Sequence, residues 1–412
     1  MNHQERLKQI HAFLLPYERI WQNELMLLYP GPLKDYPIEW VMELAAFRDQ
    51  SELIRLDKKD VDGLIQGAEL SAFYRRIDEL CQIPKVPELP PVPEDSFTWL
   101  FMIPKKQYEI KRLAPVVYKL FKDKNIARVV DIGGGKGLLA QTLVNQYRMP
   151  VTSFDMDPVL QETGRKRHYK NPRHPDMKVE FITKKVDVSD PTFNSLLRPD
   201  DMSLGLHTCG ALATDQIRFS VHNKIAGLIN LGCCYHKLEN TPTPHFISNI
   251  ARELSLPPMS KYALTLASRA HRKMDEKSND LKNKVKLYRY AMHMLLYDKY
   301  DVKELTPLGN SSPKLYDESF GTYALEQLGR LKIEAIHSKE ELDHYLDNPS
   351  MQTLIWQMLA AGFIRNAFGR LLELYILLDR VCYLEENGYK SQLLEFFDEE
   401  LSPRNLGITA WT

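Results

Sequence analysis

Four glycines fall within five positions in the run VVDIGGGKGLLAQTL: Gly133, Gly134, Gly135 and Gly137. The whole chain has 19 glycines in 412 residues, so the cluster stands out against its own background. A β-rich run precedes it and a helix-forming run follows. Glycine there lets the backbone turn sharply and lets a ligand lie against main-chain N–H groups. That is chemistry for a nucleotide-type cofactor, and three patterns compete for it. A phosphate-binding P-loop needs Ser or Thr directly after Gly-Lys, and Gly137 stands there instead. A dinucleotide fingerprint needs a third glycine where Leu138 stands.

The pattern Asp-x-Gly-x-Gly-x-Gly fits fully, with Asp131, Gly133, Gly135 and Gly137. It is the form used for S-adenosylmethionine, so the expectation is an S-adenosylmethionine-dependent methyltransferase. The plainer reading is a tight turn that binds nothing. Two acids downstream favour the cofactor. Asp155 ends the next β-rich run about 20 residues on, where a carboxylate can accept from both ribose hydroxyls. Asp157 is its local rival, with a helix cap before Pro158 as its structural role. Asp187 is expected to end the third strand and to take the adenine amino group, or to be a turn residue.

The fourth and fifth β-rich runs end in LHTCGALATD and NLGCCYHKL. Ligands of an open parallel sheet bind beyond the carboxyl ends of its strands. His207, Cys209, Cys233, Cys234 and His236 should therefore gather near the cofactor. One reading is catalytic: His207, Cys209, Cys234 and His236 orient an acceptor or take its proton. A second is metal, but adjacent Cys233-Cys234 and the 24-residue gap from Cys209 do not match structural zinc spacing, so no metal is expected. A third is structural, with cysteines packing as small apolar groups.

These residues need elements to hold them. ARVVDIG, VTSFD, VEFITKKVD, DMSLGLH and AGLINLGC read as strands. GLLAQTLVNQY, PVLQETGRKRH and ALATDQIRFSVHN read as intervening helices, and PKKQYEIKRLAPVVYKLF as a helix before them. This alternation predicts a Rossmann-like α/β fold, a parallel sheet covered on both faces. Residues 1–83 read as a helical domain, with Pro16 splitting the first helix and an amphipathic run from Ala68 to Leu80. The proline-rich stretch 84–96 reads as a stiff linker. Residues 97–412 would then form the methyltransferase domain, interrupted by a helical insertion at about 243–400 and closed by NLGITAW as the last strand.

Lys plus Arg number 54 and Asp plus Glu 54. With zero net charge, nucleic-acid binding must come from a local patch. The candidates are RKRHYKNPRHPDMK at 165–178 and RAHRK at 269–273. No apolar run reaches membrane-spanning length and no leader pattern is visible, so a cytoplasmic protein is expected. The five cysteines do not suggest a disulfide framework. No stable protein partner can be named from the sequence.

MIPKKQYEI, VVDIGGGKG, LGLHTCGALATD, NLGCCYHKL, LPPMS, KLYRYAM, LLDRVCYLEENGY and ELSPRNL occur here in one order. In this the chain, from about Trp40 onward, resembles the methyltransferase-like protein twenty-five family, also called ribosomal RNA adenine dimethylase domain-containing. The resemblance implies a seven-stranded methyltransferase sheet, S-adenosylmethionine as cofactor and helical additions. More widely, HTCGALATD and CCYHK are similar to motifs of tRNA 2′-O-methyltransferases, with Cys209, Gly210, Thr214 and Asp215 matching. Thr208 and an inserted Tyr235 depart from that pattern. Lys105 and Lys106 fall on the first family's Lys-Lys-x-His-Glu motif, with Tyr108 for its histidine and Glu109 retained. Lys105, Lys106, Tyr235, Arg404 and Asn405 are the substrate-side candidates. The acceptor is RNA, or a protein or small molecule; a third reading is a cofactor-binding interaction protein without catalysis.

Overall fold

The computed structural model describes residues 2–92, 99, 102–170, 176–269 and 275–412. The chain divides into two compact units. The first is Met1–Leu14, Cys81–Arg272 and Leu371–Thr412; the second is Leu15–Leu80 and Lys273–Arg370.

The first unit is built on seven strands: β1 (Arg128–Ile132), β2 (Val151–Asp155), β3 (Glu180–Thr183), β4 (Asp201–Cys209), β5 (Gly227–Cys233), β6 (Lys390–Glu395) and β7 (Leu406–Trp411). They lie in the order β3-β2-β1-β4-β5-β7-β6. The first five are parallel and β7 is antiparallel to both neighbours. The order reverses between β1 and β4, and this is where a doubly wound sheet opens a crevice for a ligand. Five helices matter to the site: α1 (Pro104–Asp123), α2 (Leu138–Tyr147), α3 (Pro158–Lys170), α4 (Ala211–His222) and α5 (Gly369–Glu386). Successive residues of β1 point to opposite faces. Val129 packs with Ile110, Leu113, Leu139 and Leu143, while Val130 and Ile132 pack with Phe154, Phe193 and Phe219. Burial on both faces explains the continuous apolar runs read in the sequence.

Two boundaries differ from the sequence reading. β3 stops at Thr183, so Asp187 does not end it. Among the described residues β3 is an edge strand whose only ladder partner, β2, finishes at Asp155 opposite Thr183, and the Lys184 N–H makes the last bond to the Asp155 carbonyl. Residues 390–395, read as part of a helical stretch, form β6. Its KSQLLE sequence carries no strong strand signal; pairing with β7 along its whole length makes it a strand. On the free side of β6, Lys85 forms a single parallel bridge with Glu395. Val86 donates to the Glu395 carbonyl, and the Glu395 N–H donates to Pro84.

The second unit is helical, and its ends are capped by short polar side chains. Asp49, Asp275, Ser319, Ser338 and Asn348 each accept from the backbone of the following turn, and Ser338 with Glu341 forms a reciprocal box. Its buried guanidinium, Arg365, donates to the Asn23 carbonyl at 2.7 Å and pairs with Glu24 at 3.2 Å. Pro16 lies in the 3-10 turn Leu15–Tyr17 that follows helix His3–Leu14, as its sequence predicts. No helix among the described residues is long and apolar enough to cross a membrane.

Candidate active site

The glycine loop joins β1 to α2. Gly133, Gly135 and Gly137 have φ of +67°, +56° and +63°. That region costs an L residue with a Cβ roughly 1–2 kcal/mol. At Gly137 an added Cβ would also lie 2.6 Å from the Phe181 ring, so this glycine is fixed by space as well as by conformation. The Asp155 carboxylate at the end of β2 accepts from the Gly135 N–H at 2.8 Å and from the Asp157 N–H at 2.9 Å. It thus ties the loop to the next strand and keeps lone pairs for a ligand. Asp157 instead accepts from Val159 and Leu160, a cap on α3. Asp187 accepts from the Ser189 N–H and hydroxyl, which hold its carboxyl below its usual range. It is a turn residue here.

Asp131 is buried, and its Oδ2 has no hydrogen-bond partner. An added Cβ on Gly134 would collide with that carboxylate and with the Ser153 hydroxyl, which is also unpartnered. Burial pushes the Asp131 carboxyl up to about 7; Lys106 opposes the shift and Asp155 adds to it. Because the folded pKa lies above the unfolded one, the folded chain keeps a proton that the unfolded chain has lost between pH 3.8 and about 7. Stability from this group is full below that window and is lost as pH rises through it. The expected result is that Asp131→Asn, measured by thermal unfolding without cofactor, gains on the natural chain as pH rises from 5 to 8. A difference independent of pH would contradict this.

Strand β4 is irregular at His207, where the register with β5 shifts between Leu206 and Thr208. His207 has φ +63°, and strain of this kind in a bulge re-aims a side chain. The ring turns toward α1, where its Nε2 lies 2.8 Å from Glu109 Oε1. Glu109 is 1% exposed. It also accepts from the Ser402 hydroxyl at 2.7 Å and pairs with Lys105 at 3.6 Å and Lys106 at 3.3 Å. Burial alone would raise its carboxyl, but the bonds from His207 and Ser402, with Lys106, hold it at about 2. It is a fixed anion that bonds His207 at Nε2 and holds the ring in place, with Nδ1 outside that bond.

Sequence reasoning gave no role to Glu109, noted only as a retained motif residue, or to Ser402, the second donor to its carboxylate. Glu109 had a signal: it falls on the apolar face of α1, with Ile110, Leu113 and Val117. Ser402 had none. The turns lie beside the glycine loop, since the Leu212 side chain packs 3.3 Å from where a Gly133 Cβ would stand. Lys106 links the two by charge, facing both Asp131 and Glu109.

Cys209, Cys233 and Cys234 come together, with their sulfurs all within 4.8 Å of one another. A hydrogen bond from Cys233 draws the Cys209 thiol down to about 5, while that bond and burial push the Cys233 thiol up. The His236 side chain is exposed, and its N–H is held by the Ser268 hydroxyl. Tyr235, expected to face substrate, is 1% exposed. Its hydroxyl bonds the Gly232 carbonyl and Glu373, and the buried Arg380 of α5 lies over its ring at 5.5 Å. Arg380 also donates to Thr214, so Tyr235 and Thr214 brace the turn from beneath. Asn405 is buried and donates to the Phe397 carbonyl. Arg404 is half-buried and faces Cys234 and Tyr235 by charge.

The basic segment 165–178 is partly consumed by the fold. Arg165 donates to Glu162 and to the Phe181 carbonyl, and the buried His168 accepts from the Val179 N–H. Residues 171–175, including Arg173, and residues 270–273 lie outside the described residues.

Residues 105–241, which contain the loop and both turns, match the family model described as a methyltransferase domain, and the chain carries that domain. It is similar to the proteins described as probable methyltransferase-like protein 25 of Mus musculus, at 27% identity, and of Homo sapiens, at 28%. Each alignment runs over 230 residues, 51% of this chain and 37% of the relative. The family suggested by the motifs is thus the one the comparison finds, and the chain spans little more than a third of those relatives' length. A crystal structure of an SAH-bound Podospora anserina methyltransferase aligns with 40% of this chain and 71% of its own, at 13% identity and a TM-score of 0.28.

The site's own residues fit S-adenosylmethionine, the cofactor of this class. The left-handed glycines put no Cβ between the loop backbone and a ligand, the Asp155 carboxylate keeps lone pairs free, and a buried carboxylate oxygen of Asp131 lacks a partner.

Proposed function

We propose that the chain is an S-adenosylmethionine-dependent methyltransferase whose acceptor carries a removable proton on oxygen or nitrogen. The observation that carries this reading is the His207–Glu109 pair beside a glycine loop with an unsatisfied acid. The cofactor, when bound, supplies an electrophilic methyl group on a sulfonium. The loop from Gly133 to Gly137 would lie against it with no side chain between, Asp155 would accept from its ribose, and Asp131 with Lys106 would meet its charged methionine end. His207 Nδ1 would hold the acceptor proton as it leaves, and Glu109 would stabilise the resulting imidazolium. In-line methyl transfer depends most on placement, and the strained bulge at His207 favours a fixed base.

For the acceptor, an RNA hydroxyl is the first reading. Its support is the HTCGALATD and CCYHK motifs, similar to those of tRNA 2′-O-methyltransferases. Lys105 and Lys106 beside His207 add two cations for a phosphate. A protein or small-molecule acceptor is the second reading, favoured by balanced charge and by the internal contacts of Arg165 and His168. Transfer of tritiated methyl into cell extract separates them. Label lost on nuclease treatment supports RNA, label lost on protease treatment overturns it, and no label in either overturns the enzyme.

A further inference from the structure

Cys209 and Cys233 sit opposite one another in register at the ends of β4 and β5, and their sulfurs are 3.5 Å apart. Cys234 follows with φ +52°, a left-handed conformation that costs a residue with a Cβ and turns its thiol back to the other two. All three sulfurs fall within 4.8 Å of one another, and all three are free thiols. Among the described residues no other Cys, His, Asp or Glu set converges in this way.

We propose that Cys209, Cys233 and Cys234 form a zinc site with an open fourth position. A zinc–sulfur distance of about 2.3 Å places tetrahedral sulfurs about 3.8 Å apart, which lies within the spread seen here. Cys233 is buried and the other two are half-exposed, so the uncoordinated corner faces outward. Three thiolates on a divalent ion leave one net negative charge. Lys237 faces Cys209 and Arg404 faces Cys234, which supplies the balancing cations. Soft sulfur ligands select zinc over magnesium or calcium. On binding, zinc replaces the thiol protons, which leave to solvent. Three protein ligands with one place free is the arrangement of zinc sites that bind a further ligand rather than only brace a fold. That place lies at the end of β4, two residues from the His207 base.

The test uses the full chain, reduced and under inert gas, with cobalt as a coloured stand-in for zinc. One equivalent of Co²⁺ should give intense thiolate-to-cobalt charge-transfer absorption, removed by adding Zn²⁺. Cys209→Ser should abolish the band and Cys81→Ser should leave it unchanged. One equivalent of Zn²⁺ should also slow alkylation of Cys209 and Cys234 in the natural chain by about tenfold or more, with Cys81 unprotected. This arm needs no variant and reports even if Cys209→Ser misfolds. Absence of the band, or equal alkylation with and without zinc, overturns the proposal. Neither arm involves the methyl donor, so a failure here leaves the methyltransferase reading standing, and the reverse also holds.

Discussion

Replacing His207 by Asn should lower methyl-transfer turnover by about 10²–10⁴-fold, the usual worth of a positioned general base. Affinity for S-adenosylhomocysteine should not change. Asparagine is the right substitute because it tolerates the left-handed conformation that His207 adopts at φ +63°, so the bulge should survive. Glu109→Gln keeps the shape of the buried partner and removes its charge. It should give a smaller loss in turnover, again without loss of cofactor. The Ser402 bond would remain while the ion pairs with Lys105 and Lys106 are lost, so the helix should stay folded. Single-turnover rates together with calorimetry of the product complex decide the matter. If both variants turn over normally, His207 is a structural residue of the bulge.

Asp155→Ala should weaken S-adenosylhomocysteine by about 100-fold or more. Hydrogen bonds to a charged group contribute about 1.5–3 kcal/mol each, and two ribose hydroxyls would be lost. About 1.4 kcal/mol corresponds to tenfold. The same change frees the Gly135 N–H, so the loop itself should loosen. Asp157→Ala is the matched control. It removes only the cap on α3, about 1 kcal/mol of stability, and should leave affinity alone. Calorimetric titration of both proteins gives the answer. Were affinity lost with Asp157 and kept with Asp155, the ribose role would move two residues along the chain.

Much of this site was legible because burial and conformation leave marks in sequence. The first five strands are short apolar runs ending at turns, and a sheet covered on both faces demands such runs. The glycines advertise positive φ, and three of the four take it. What could not be read depends on pairing. Thr183 ends β3 because β2 ends opposite it, and β6 is a strand because β7 lies beside it. The cysteines illustrate the same limit. A gap of 24 residues resembles no zinc motif, yet it is the length of one strand–helix–strand step, and parallel register sets Cys209 beside Cys233. Tyr235 reads as a substrate-side residue in CCYHK; the buried Arg380, far along the chain, makes it a floor.

The bridge between Lys85 and Glu395 has a consequence for solubility. An unpaired edge strand is a template for strands of other molecules, and chains that expose one are prone to stick edge to edge. One such edge is β6, where residues 84–86 use the peptide groups of Glu395. Pro84 and Pro87 flank the bridge, and neither has an N–H to give. Among the described residues the added segment therefore pairs once, and the prolines keep it from lengthening into an eighth strand that would offer a fresh edge. The prolines that look like a boundary in the sequence act as a stopper, ending the sheet where it would otherwise recruit a neighbour.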